Sequence, residues 1–326
     1  MPEPLHYLQA FVVVASASAL VVLALGWRKR PPSATRVCSV CLAGVAIGQI
    51  VGIYQLRLLI GWPPASALDR YLAILLPTAI SVELLAAYSA VPRWVAYSLR
   101  CLLAASIGRV LLHGSVYLDE WTSGQAIVVF AVTAIFPVAV WLLLARLAER
   151  SPGISLPLAL AVTIQGAGMA IMLAGYLKGG AAAMVAAAAL LGASLGSTRM
   201  TKHIPPQAVI GLGMVSLSSL LIIGVFFGRL PTVSALVLLA TPLLCWFTEL
   251  PWLQKRTPWQ HGAIRLVLVA VALAIVLLAA KGKFDREFRP LLSRVGKPFL
   301  QDYSLISPLS RPALTPTTGI ANHCLN

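Results

Sequence analysis

Charge is scarce in this chain. Asp, Glu, Lys and Arg make up 11% of the 326 residues, and only ten are acidic. A typical soluble domain is about 25% charged, so a water-facing fold could not cover its surface with this supply. The soluble, disordered, collagen-like and disulfide-scaffold classes are excluded on that ground. Cysteine is sparse as well. Four of the five, Cys38, Cys41, Cys101 and Cys245, lie in apolar segments and Cys324 near the end, so no disulfide framework is expected. Alternating polar and apolar runs are missing, which argues against strands, and open sheet edges cannot face lipid.

Catalytic signatures are equally thin. There is no P-loop, no dinucleotide fingerprint and no H-E-x-x-H. The histidines, His6, His113, His203, His261 and His323, are scattered, so neither a metal nor another cofactor is implied. Gly192-Ala193-Ser194-Leu195-Gly196 matches G-x-S-x-G, but it falls in a small-residue helix rather than the strand-to-helix turn a nucleophile elbow needs. Cys38 and Cys41 have C-x-x-C spacing without a second ligand pair and read as packing residues.

What the chain has is apolar length. Apolar residues make up 59% of it, gathered into ten runs of about the 20 residues a bilayer requires. They cover 5–27, 37–61, 71–91, 94–113, 123–146, 154–177, 180–198, 206–228, 230–250 and 263–281. Turn chemistry separates them, as at Pro31-Pro32, Trp62-Pro63-Pro64 and Pro205-Pro206. The fold class is therefore an all-α, polytopic integral membrane bundle of ten transmembrane helices. It would have nine if the Ala-rich 180–198 failed to span. Residues 1–281 form the bundle. Residues 282–326 form a basic tail, amphipathic at first, with Phe284, Phe288, Leu291, Leu292 and Val295 at helical spacing, and Ser/Pro/Thr-rich from Ser304 onward. The first run lacks a positive leader, which places it as a retained span rather than a cleaved signal.

The formal charge is +15, and its placement reads as topology. The odd-numbered links hold Arg28, Lys29, Arg30, Arg36, Arg93, Arg146, Arg150, Arg199, Lys202, Lys255, Arg256 and Arg265. The even links hold only Arg70, Lys178 and Arg229. This bias predicts odd links in the cytoplasm and the amino terminus outside. It runs against the basic residues at 281–297, which ten spans would place outside. The basic excess calls for anionic lipid headgroups as partners, not nucleic acid. Trp27, Trp62, Trp94, Trp121, Trp252 and Trp259 fall near span ends, as an aromatic belt would.

The most informative feature is charge inside the runs. Glu83 lies in span three, and Arg100 and Arg109 lie in span four. Even on a lenient insertion scale a mid-membrane charge costs roughly 2.5–3.5 kcal/mol. The register places Glu83 ~3 Å and Arg100 ~5 Å from the span centres on the same side, so an ion pair is allowed. Arg109 and Arg57 lie nearer the outer face, within snorkelling reach. Pro77 and Pro137 are candidate helix kinks. Gly44, Gly48 and Gly52 form a small-residue packing face on span two, beside Gln49. Gln165 in span six and Gln49 are each able to bond across helices.

Three readings follow. The leading one is a small-solute or ion transporter with a site between helices 2–4, drawn from Glu83, Arg100, Arg109 and Gln49. The alternative is a non-catalytic scaffold or sensor subunit bound to another membrane protein. An intramembrane enzyme using Ser194 ranks last, since no catalytic constellation supports it.

Overall fold

A computed structural model describes residues 4–27, 33–58, 60–88, 90–151, 153–199, 207–250, 253 and 257–295. Among the described residues there is no strand, and ten helices are long and apolar enough to cross a membrane. They are α1 (Pro4–Gly26), α2 (Ala34–Gln55), α3 (Ala67–Ala87), α4 (Arg93–Leu112), α5 (Ser123–Arg150), α6 (Ser155–Leu173), α7 (Leu177–Ser197), α8 (Gln207–Phe226), α9 (Thr232–Glu249) and α10 (Pro258–Val295). By contacts the chain divides into two units, 1–284 and 285–326. The described part of the second, 285–295, is helical. The tail beyond 295 lies outside the described residues.

Helix starts follow local chemistry. Ser66 caps α3: its hydroxyl accepts from the Asp69 N–H, and the Asp69 carboxylate accepts from the Ser66 N–H, both at 3.1 Å. Thr122 and Gln125 make the same reciprocal box at the start of α5. The largest boundary shifts concern α2 and α10. Helix α2 stops at Gln55, and Arg57 sits beyond it in a left-handed turn with φ 49°, so it is not a residue of span two. Helix α10 begins at Pro258, and Arg265, expected in link nine, belongs to its interior.

The Ala-rich segment forms α7, and α7 is central. In α7 and α8, 89% of the most apolar window is buried, against 22% in α1, α5 and α10. Ala is a marginal inserter against lipid, but α7 faces protein on nearly every side, against α1, α2 and α6. Small side chains let those backbones close in. A Cβ at Gly192 would lie 2.1 Å from the Ala15 carbonyl oxygen. Gly44 lies against Ser18 and Val22, Gly48 against Ser18 and Ala189, and Gly52 against Val14 and Val185. The glycine face of α2 thus meets α1 and α7. Between these helices the Ser18 hydroxyl donates to the Ala189 carbonyl at 2.8 Å.

Helix α3 is distorted in the turn before Pro77. There Tyr71–Leu75 form a π-turn and the Leu76 N–H bonds to the Tyr71 carbonyl. The α-helix resumes at Leu76 with Pro77 in its first turn, where a missing N–H leaves no bond unmade. Helix α5 runs without a break through Pro137, which is buried. The last nine residues of α9, Thr241–Glu249, wind as a 3-10 helix.

Successive links alternate between two ends of the bundle. At one end, the first turn of α3 meets the end of α4: Arg70 donates to the Leu111 and His113 carbonyls. There too the Tyr117 hydroxyl donates to Phe226, and the Arg229 N–H donates to Ala174. At the other end the start of α4, the end of α5 and the start of α8 come together around Tyr97, Glu149 and Gln207. The exposed tryptophans Trp27, Trp62, Trp94 and Trp259 lie at helix ends or in links. The chain is a multi-pass, all-helical membrane protein.

Candidate functional site

Link three is short, so α3 and α4 form a hairpin of antiparallel neighbours. Glu83 lies four residues before the end of α3, and Arg100 lies seven after the start of α4. Arg100 Nε donates to Glu83 Oε1 at 2.9 Å, and Nη2 donates to Oε2 at 2.6 Å. This two-point fork is the strong geometry for a guanidinium and a carboxylate. Glu83 is 1% exposed and Arg100 8%. Because α3 ends at Ala87 rather than 91, Glu83 is about 9 Å past the middle of its helix, farther toward the odd-link end than the sequence register placed it.

Two more helices shape this pocket. Gly211 of α8 lies against the carboxylate: a Cβ there would sit 1.9 Å from Glu83 Oε1 and 2.9 Å from Trp141 Cζ2 of α5. Glycine at 211 is therefore what leaves room for a buried Glu83. Sequence reasoning passed over Gly211, because one glycine among many in an apolar run carries no distinguishing signal. Cys38 of α2 lies within electrostatic range of both partners.

Above the pair is a polar cleft of about 320 Å³, lined by Ala86, Val91, Arg93, Ala96, Tyr97, Arg100, Glu149 and Gln207. Arg93 to Arg100 is two turns of α4, so the cleft descends roughly 10 Å from the helix ends. At its wall, Glu149 Oε1 accepts from the Tyr97 hydroxyl at 3.2 Å and from Gln207 Nε2 at 3.0 Å. The Arg100 guanidinium stands 5.9 Å from the Tyr97 ring centroid. Arg100 is thus common to the ion pair and to the cleft. Its Nη1 makes no hydrogen bond and is not sealed from solvent.

The other residues drawn into the expected site lie elsewhere. Arg109 is on the exposed face of α4, its guanidinium 5.8 Å from the Phe130 ring, and joins neither the pair nor the cleft. Gln49 is buried on α2, eleven residues and about 16 Å along the helix from Cys38. Its Oε1 and that of Gln165 are buried without hydrogen bonds. The residue of α2 within electrostatic range of the pair is Cys38. Ser194 is buried in the last turn of α7, its hydroxyl donating to the Leu190 carbonyl at 2.7 Å, and His203 lies outside the described residues.

A second buried arginine was hidden by its place near a link. Arg265 is 1% exposed. Nε donates to the Thr248 hydroxyl at 2.8 Å, Nη1 to Ser155 at 2.9 Å, and Nη2 to Ser151 at 2.8 Å and to Glu249 at 2.9 Å. It ties α10 to the 3-10 end of α9 and to the link between α5 and α6. Another cavity, about 340 Å³, lies between α5, α8 and α9, lined by apolar residues such as Val128, Phe136, Leu221 and Leu236. No group of three or more potential metal ligands occurs among the described residues.

No known protein family matches this chain, and no curated protein matches it.

Proposed function

We propose that the protein carries a small polar solute across the membrane, taking it up in the cleft above Glu83 and Arg100. One observation carries this reading: a buried arginine, paired with Glu83 and with one nitrogen unbonded, lines a polar cleft near the helix ends. Charge at membrane depth is expensive, and ionisable residues there mark solute or ion pathways. A solute bonding to Arg100 weakens its hold on Glu83 and couples occupancy of the cleft to the packing of α3 against α4. By the charge bias of its links, the cleft faces the cytoplasm.

The purified chain in proteoliposomes loaded with a defined mixture of small polar metabolites tests this, with flux read by mass spectrometry. At least one component is expected to leave faster than from protein-free vesicles, and Glu83→Gln is expected to abolish that flux. If no component moves, the reading fails.

A scaffold reading has its own support: both hydrogen bonds of the ion pair are made, as a static lock between α3 and α4 requires. A buried pair replaced by apolar residues is often neutral for stability. The double variant Glu83→Leu/Arg100→Leu therefore separates the two. Wild-type stability with flux lost supports transport. Wild-type stability with flux kept supports the lock.

A further inference from the structure

We propose that the ligand of the cleft is a compact zwitterion, a single molecule carrying one anionic and one cationic group. This rests on the solute-binding reading above and names its substrate class. The cleft holds charges of both signs that do not neutralise one another. Arg93, the first residue of α4, is exposed and makes no hydrogen bond or ion pair. Glu149, in the last turn of α5, uses Oε1 for both Tyr97 and Gln207 and leaves Oε2 unbonded. Arg93 and Glu149 line the same space yet form no ion pair with each other. Arg100 also lines this space, its own charge already balanced by Glu83 and its Nη1 unbonded.

This arrangement rejects ions of a single sign. A simple anion drawn to Arg93 and Arg100 meets the Glu149 carboxylate, and a simple cation drawn to Glu149 meets two guanidinium groups. Like-charge juxtaposition of this kind is a common basis of specificity. A molecule with an anionic end toward the arginines and a cationic end toward Glu149 satisfies both. Ala86, Val91 and Ala96 supply an apolar wall for the carbon chain between them. The volume, about 320 Å³, lies at the lower end of the roughly 300–1,000 Å³ of small-molecule sites, so the ligand is short.

The test is binding by the full-length protein in detergent, measured by calorimetry and thermal shift. The probes are glycine, 4-aminobutyrate and taurine, beside acetate and methylammonium as single-charge halves. At least one zwitterion is expected to bind at least tenfold more tightly than either half. Loss of one charge-assisted contact is expected to weaken that binding roughly tenfold or more, in Arg93→Gln and in Glu149→Gln alike. Both positions are exposed, so each variant should melt like the wild type. Glu149→Gln is also expected to improve acetate binding, because it removes the repelling carboxylate. Acetate binding as tightly as the zwitterions, or no probe binding at all, overturns the proposal. The transport reading is judged separately by flux: zwitterion binding without flux of any solute would sink transport and leave the ligand class standing.

Discussion

Arg100 and Arg265 are both buried guanidinium groups in a chain poor in charge, and they meet the same desolvation cost in different ways. Arg265, on α10, has four oxygen partners, three of them hydroxyls, contributed by the 3-10 end of α9, Ser151 at the end of α5 and Ser155 at the start of α6. Arg100 has one carboxylate and one unbonded nitrogen, and it lines an open cleft. Fully enclosed polar networks rigidify a fold. A pair with one face open can exchange partners. The contrast sets Arg265 in the architecture and, on the proposed reading, Arg100 in the solute site, although the sequence presents both as isolated basic residues in or near apolar runs.

Four substitutions can break or sharpen that contrast. The largest expected effect is from Arg265→Met, which removes four hydrogen bonds at a junction of helices. Removing one member of a buried ionic network costs about 3–5 kcal/mol, so the melting temperature in detergent should fall steeply. Glu83→Gln should cost less, about 1–3 kcal/mol, because Arg100 can turn its charge toward the open cleft. If Glu83→Gln proves more damaging than Arg265→Met in the same thermal denaturation, the assignment of roles is reversed. Gly211→Ala pushes a methyl group onto the Glu83 carboxylate from the opposite helix, and overpacking of this kind costs about 1–3 kcal/mol. It should mimic Glu83→Gln in lost flux while keeping the charge, and an unchanged flux would show that Gly211 does not shape the site. Arg109→Ala is the smallest. An exposed residue outside both clusters should shift stability by no more than about 0.5 kcal/mol and leave flux unchanged. A loss of flux there would return Arg109 to the pathway.

The readable parts of the site were those set by neighbours in sequence. Glu83 and Arg100 belong to consecutive helices joined by a tight link, so register alone brought them to similar depth. Gly211, Glu149 and Gln207 come from helices far along the chain, and nothing local marks them. Arg109 and Gln49 were drawn in because polar residues inside apolar runs look alike until the facing of each helix is known. Arg265 was misread for the opposite reason: it falls at the edge of the last apolar run, 263–281, and was counted with the link before it, whereas it lies two turns inside α10.

Ten continuous apolar runs and too little charge to face water determined a membrane-spanning helical bundle without any coordinates, because hydrocarbon demands internally bonded backbone of a certain length. Which helix would be central was decided only by packing. The Ala-rich segment is a poor match to lipid and became α7, enclosed by protein. The cleft, the cradle at Gly211 and the knot around Arg265 likewise exist only where distant helices meet. The physical reason is that hydropathy and charge act residue by residue along the chain, whereas shape complementarity and hydrogen-bond partners depend on side chains that only folding brings together.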